Sequence, residues 1–148
     1  MYLKEYLKKY EKIKLFIDMD GVIADYEFGN AENFDKKRPL FDSIKKLEEI
    51  SNMNNIELYI LSITRKDIGI KEKNIWLDKY VNFIKKENRI ILSKEGKDKS
   101  SAQLKSEYLN NIKTEDTIIV IDDDPSILKE INRTNKNIVL LKDTALVD

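Results

Sequence analysis

The 148-residue chain predicts an α/β fold built on a doubly wound parallel sheet. Two observations carry that expectation. Short apolar runs alternate with segments whose apolar residues recur at helical spacing, and the marked polar clusters each follow a run. Alternation of this kind buries both faces of a parallel sheet under helices. Such sheets place their sites at the carboxyl ends of the strands, where chain order reverses.

Tyr2, Leu3, Tyr6, Leu7 and Tyr10 lie at helical spacing among lysines and glutamates and predict an amphipathic opening helix. Ile13-Lys14-Leu15-Phe16-Ile17 predicts the first strand. No period is visible from there through Arg38. Pro39 is then expected to open a helix carrying Phe41, Ile44, Leu47 and Ile50, because its fixed φ and missing N–H suit a first helical turn. Asn54-Asn55 is a turn signal, and Ile56 to Leu61 reads as strand two. Ser62-Ile63-Thr64-Arg65 follows it, then a helix with Ile70, Ile75, Leu77, Val81 and Ile84. Arg89 to Leu92 is strand three. A polar stretch from Ser93 to Ser101 leads to a helix with Leu104, Tyr108, Leu109 and Ile112. Thr117 to Ile121 gives strand four, ending at Asp122-Asp123-Asp124-Pro125, and a short helix and a last strand from Asn137 to Leu141 complete the pattern.

A chain of this length fits one domain, expected over residues 1–148. Lys+Arg and Asp+Glu are both 27, so the total charge offers no long-range attraction to nucleic acid or an anionic membrane. The absence of Cys excludes disulfides, zinc–thiolate sites and a cysteine nucleophile, and the absence of His removes the commonest general base. Acid–base chemistry falls to carboxylates, Lys or Tyr. The first residues lack the unbroken apolar core of a signal peptide, and no apolar run approaches the roughly 20 residues of a membrane span. A cytoplasmic location without a membrane partner is the expectation.

Asp18-Met19-Asp20-Gly21 sets two carboxylates one residue apart where the first strand runs out. Side chains two apart in extended chain point the same way, so Asp18 and Asp20 can converge, and Gly21 frees the backbone to turn. At about 4 Å and an effective dielectric near 20, two such charges repel by roughly 4 kcal/mol. A proton, a lysine or a divalent cation would offset that. An EF-hand calcium loop is excluded by spacing, with Val22 and Ile23 where a ligand and the turn glycine belong.

The ordered set of an Asp-x-Asp-Gly loop after strand one, Ser62 after strand two, a lysine-rich loop and an acidic pair after strand four resembles the haloacid dehalogenase (HAD) superfamily across nearly the whole chain. The resemblance implies strand order 3-2-1-4-5 and a Mg²⁺-dependent phosphomonoester hydrolase. In it Asp18 would be the nucleophile that forms an aspartyl-phosphate and Asp20 the general acid and base. It further implies Ser62 as the hydroxyl that orients the phosphoryl group and a lysine beside it. Lys94, Lys97 and Lys99 all lie in the loop; Asp98-Lys99-Ser100, just ahead of a helix, fits the pattern best, so Lys99 is chosen. Asp18, the backbone carbonyl of Asp20, Asp122 and Asp123 would hold Mg²⁺, while Asp124 before Pro125 would cap the next helix. Asp25, Arg65 and Lys66 are candidate substrate contacts.

The stretch from Asp18 to Glu27 is similar to the opening of the cytosolic 5′(3′)-deoxyribonucleotidases, which implies a small nucleotide as substrate. The interval from Asp18 to Ser62 must hold a helix, a strand and a loop, so little or no cap domain fits. Capless members such as the 3′-phosphatase domain of phage polynucleotide kinases leave a nucleic-acid end as the alternative. A phospho-aspartate receiver or an interaction module is the alternative of another class.

Overall fold

The computed structural model describes residues 2–26 and 33–147. Glu27, the last residue of the stretch similar to the nucleotidases, lies outside them. Five strands form one parallel sheet: β1 (Ile13–Ile17), β2 (Ile56–Thr64), β3 (Arg89–Ser93), β4 (Thr117–Asp122) and β5 (Val139–Lys142). Their order is β3-β2-β1-β4-β5, so chain order reverses between β1 and β4, as expected for a doubly wound sheet.

Period-two alternation decides which side chain goes to which face. Ile13, Leu15 and Ile17 of β1, Leu58 and Ile60 of β2, and Ile119 and Ile121 of β4 join one core. It is covered by α1 (Leu3–Lys9), α2 (Phe41–Ser51) and α3 (Ile68–Tyr80), which contribute Leu7, Ile44, Leu47, Trp76 and Leu77. Phe16, Leu61, Ile118 and Val120 point to the other face. There they meet Leu109 of α4 (Ser101–Asn110) and Ile127 and Ile131 of α5 (Pro125–Thr134). Lys14, the one charged residue within β1, shares the Phe16 face and pairs with Glu57 and Asp116.

Several element boundaries differ from the sequence reading, among them the fourth helix, which ends at Asn110 short of Ile112, and the last strand, which runs Val139–Lys142 and not from Asn137 to Leu141. The second helix begins at Phe41, not Pro39: Pro39 bridges antiparallel to Ala24, and the Leu40 amide donates to the Ile23 carbonyl. Proline lacks an N–H to donate, which a bridge at a loop edge tolerates as readily as a helix start. β2 continues to Thr64 because Ile63 and Thr64 keep pairing with Leu92 and Ser93, so Ser62 lies within the strand. The third helix closes at Tyr80, and Val81 and Ile84 are buried beyond its end. No helix among the described residues is long and apolar enough to cross a membrane.

Phe16 is 1% exposed and stacks on Tyr59 with ring centroids 4.6 Å apart. Phe16→Ala should destabilise the fold by about 3–5 kcal/mol through lost burial and the cavity left behind. Urea unfolding would show this as a lower midpoint with an unchanged slope.

Candidate functional site

The β1–β4 register sets Ile17 against Ile121, so the next residues, Asp18 and Asp122, emerge side by side at the carboxyl end of the sheet. The Asp18 amide donates to the Ile121 carbonyl at 3.0 Å, which fixes its backbone there. The chain then turns tightly, with the amides of Val22, Ile23 and Ala24 all donating to the Met19 carbonyl. Gly21 sits at φ +77°, and a Cβ on it would lie 2.0 Å from Asp123 Oδ2. Glycine is therefore needed both for the left-handed backbone and for the room that Asp123 occupies.

Asp18, Asp122 and Asp123 each offer a carboxylate oxygen within 4.8 Å of the others'. Lys105, from α4, enters between two of them, its Nζ 3.0 Å from Asp18 Oδ1 and 2.7 Å from Asp122 Oδ2. The other oxygen of Asp122 accepts from the Asp124 amide at 3.0 Å. Burial, joined by the charge of Asp122, pushes the Asp18 carboxyl up to about 7 against the opposing pull of Lys105. Burial also raises Asp123, with Asp122 adding to it and contact with Asp18 opposing. Burial works against the Lys105 charge too, but Asp18 and Asp122 outweigh it and the ammonium is held above its usual range.

Asp20 faces a different environment. Its Oδ1 accepts from Lys37 Nζ and its Oδ2 from Lys73 Nζ at 3.4 Å. Lys73, on α3, also donates to Ser62 Oγ at 2.6 Å and to the Ile63 carbonyl at 2.7 Å. Burial lowers Lys73, with Asp20 and Asp18 working the other way. Both ammonium groups lie 4.8 Å from the centroid of Phe34, a residue of the 3-10 turn Phe34–Lys36.

A cavity of about 810 Å³ brings these groups together. Asp18, Asp20, Asp122 and Asp123 line it, as do Lys37, Lys73 and Lys105. Tyr26, Arg65 and Lys94 also line it. Ser62 is fully buried and does not reach its wall, although its immediate neighbours Ile63 and Thr64 do. Asp25 pairs with Arg38. Asp124 accepts from the Ser126 amide at 2.9 Å and caps α5 as expected.

The structure does not bring Lys99 to the site. It is exposed and pairs with Glu107 at 2.8 Å. A capping box between Ser100 and Gln103 starts α4 at Ser101, which leaves Lys99 outside the helix and turns Lys105 inward beside Leu104 and Leu109. The spacing just ahead of a helix pointed to Lys99, whereas the structure sets Lys105 against the carboxylates. A usable signal was present, since Lys105 stands four residues before Leu109, on the buried stripe. Lys73 occupies the same kind of position, four before Leu77. Lys37 had no such signal.

The donor set suits a hard divalent cation: it is all oxygen, three carboxylates against one ammonium, with an acid whose ionisation burial resists. The sign for pH follows from Asp18. Its folded carboxyl holds a proton more tightly than the usual 3.8, so metal-free stability from this group is full at acid pH and is lost as pH rises to about 7. A cation must displace that proton. Mg²⁺ should therefore raise the Tm more at about pH 8 than at about pH 5.5, and Asp122→Asn should remove most of the shift. Thermal melts with and without Mg²⁺ would check both; equal shifts at the two pH values would contradict the expectation.

No protein-family model and no curated protein matches the chain. Among solved structures, a chain of the Pnkp1/Rnl/Hen1 complex superposes with a TM-score of 0.70 at 13% identity, over 88% of this chain and 45% of that one. This chain thus spans less than half the length of that relative. The HAD domain of the effector protein Lem4 from Legionella pneumophila gives 0.53 at 15% identity, covering 88% of this chain and 84% of that one. DsGPDH of Dunaliella salina gives 0.52 at 13%, covering 94% and 25%. Such low identities speak for architecture alone, and with the β3-β2-β1-β4-β5 sheet they show that the chain has a HAD-like α/β fold.

Proposed function

We propose that the protein is a Mg²⁺-dependent phosphomonoester hydrolase working through an aspartyl-phosphate on Asp18, with a nucleotide phosphate as substrate. The observation that carries this reading is the meeting of Asp18, Asp122, Asp123 and Lys105 at the sheet's switch point, with Asp20 beside them in the same cavity.

Asp18, Asp122 and Asp123, with the carbonyl of Asp20, would hold the Mg²⁺. When bound, that ion neutralises the crowded anions and clamps the phosphoryl group. Lys105 keeps the Asp18 carboxylate oriented while its other oxygen attacks phosphorus in line, which splits one difficult displacement into two easier ones. Asp20 serves the departing oxygen and then the attacking water, and the Lys73 ammonium helps fix its orientation. Ser62, buried behind the cavity wall, accepts from Lys73 and helps hold that ammonium beside Asp20.

The first substrate reading is a small nucleotide, such as the 5′(3′)-deoxyribonucleotidases take. The exposed Tyr26 ring on the cavity wall supports it, as a face on which a base can stack. The second reading is a phosphorylated polynucleotide end. Arg65 and Lys94 along the cavity favour it, as partners for a neighbouring phosphate, and so does the likeness to a chain of an RNA repair complex.

Asp18→Asn should lower phosphate release by at least about 10³-fold with the fold retained, as loss of a nucleophile does elsewhere. Phosphate release assays with circular dichroism would check this, and full activity in the variant would remove the proposed nucleophile. Single-turnover rates on nucleoside monophosphates should exceed those on 3′-phosphorylated oligonucleotides, and the reverse order would select the second substrate. Sustained turnover also separates a hydrolase from a receiver that merely stores a phospho-aspartate.

A further inference from the structure

The two ammonium groups on Asp20 are not equivalent. An ammonium carries three N–H donors. Lys73 directs its three to Ser62 Oγ, the Ile63 carbonyl and Asp20 Oδ2. Lys37 Nζ has Asp20 Oδ1 as its one hydrogen-bond acceptor among the described residues, and the face of Phe34 lies on another side of it. Yet Lys37 is 6% exposed and lines the cavity. Burying a charged donor with hydrogens unmatched is costly, and an acceptor entering the cavity relieves that cost.

Its placement is also enforced. The Lys37 carbonyl accepts from Trp76 Nε1 at 2.9 Å, the Phe34 amide donates to Glu72 Oε2 at 2.9 Å, and the Phe34 and Trp76 rings meet edge to face. Three contacts thus fasten the segment around Lys37 to α3, the helix that also supplies Lys73.

We infer that Lys37 is a catalytic residue of the hydrolysis proposed above, donating through its ammonium to the leaving oxygen of the phosphate ester. The inference rests on that reading of the site. Asp18 forms a bond to phosphorus as the ester P–O bond breaks, and the electron pair of that bond passes to the departing oxygen, which meets a Lys37 N–H. The alcohol leaves with a proton from the hydrogen-bonded Lys37–Asp20 pair. The water that later cleaves the aspartyl-phosphate returns a proton to the same pair. Lys73, with its donors filled, is a positioning residue for Asp20 and Ser62.

The test compares two substrates in the full chain with Mg²⁺: p-nitrophenyl phosphate, whose nitrophenolate departs without a proton, and β-glycerol phosphate, whose alkoxide needs one. Lys37→Met should raise the aryl-to-alkyl ratio of kcat/KM by about 100-fold, the scale of a lost proton donor. Lys37→Arg, which keeps the charge, should raise it less. The ratio does not depend on the fraction of protein folded, and Lys37→Gln carries the same test if the Met variant does not fold. Wild-type turnover with an unchanged ratio in the variants overturns this inference alone. Wild-type protein that hydrolyses neither these esters nor nucleoside monophosphates nor 3′-phosphorylated oligonucleotides overturns the hydrolase reading and this inference together.

Discussion

The buried ammonium of Lys105 between Asp18 and Asp122 is the contact on which the rest of the site depends. Parallel pairing of β1 with β4 forces those two carboxylates into adjacency, and no loop adjustment can separate them without breaking the ladder. At about 4 Å their mutual repulsion is roughly 4 kcal/mol at an effective dielectric of 20. The cation from α4 offsets it, and α4 is itself held against the sheet by the second core face. One side chain therefore couples helix packing to the electrostatics of the sheet's carboxyl edge. With Asp123 added, the acids still outnumber the cation, and the Asp18 carboxyl remains raised.

Asp18 and Asp20 stand one residue apart and share a strand end, yet their surroundings differ in sign. Asp18 looks toward β4 and its acids. Asp20 looks toward β2 and α3, where two ammonium groups meet it across Phe34. Enzymes that need two roles from two carboxylates obtain them by such unequal environments. The bend at Met19 after β1 leaves both side chains on one cavity, and the sheet order then assigns each a different neighbour.

What was legible in the sequence is what repeats locally or follows from strand ends. The apolar runs and helical stripes were enough for the five strands and five α-helices, and Asp18, Asp20, Asp122 and Asp123 were readable because each sits at or just past a strand end. The lysines were not. Lys99 stood in an obvious polar loop, whereas Lys105 and Lys73 are buried on helix faces where an apolar residue is expected, so a solvated-loop search passes over them. A lysine in phase with leucines and tryptophan is the better marker, since burying an ammonium demands a partner. Lys37 follows no period at all. Its position is set by contacts with α3 that are distant in sequence, which no local pattern encodes.

That dependence on α3 ties site geometry to core packing. Trp76 is fully buried between the sheet and the 3-10 turn, and its indole N–H holds the backbone of Lys37. Lys73 lies one helical turn before it, reaching Ser62 and Asp20 from the same helix face. A shift of α3 along its axis would therefore move both ammonium groups and leave Asp18, Asp122 and Lys105 in place, because those are anchored by β1, β4 and α4. The cavity is thus built from two separately anchored halves that meet at the Asp18–Asp20 loop. The tight turn onto the Met19 carbonyl, with glycine at its one left-handed position, keeps the halves in register.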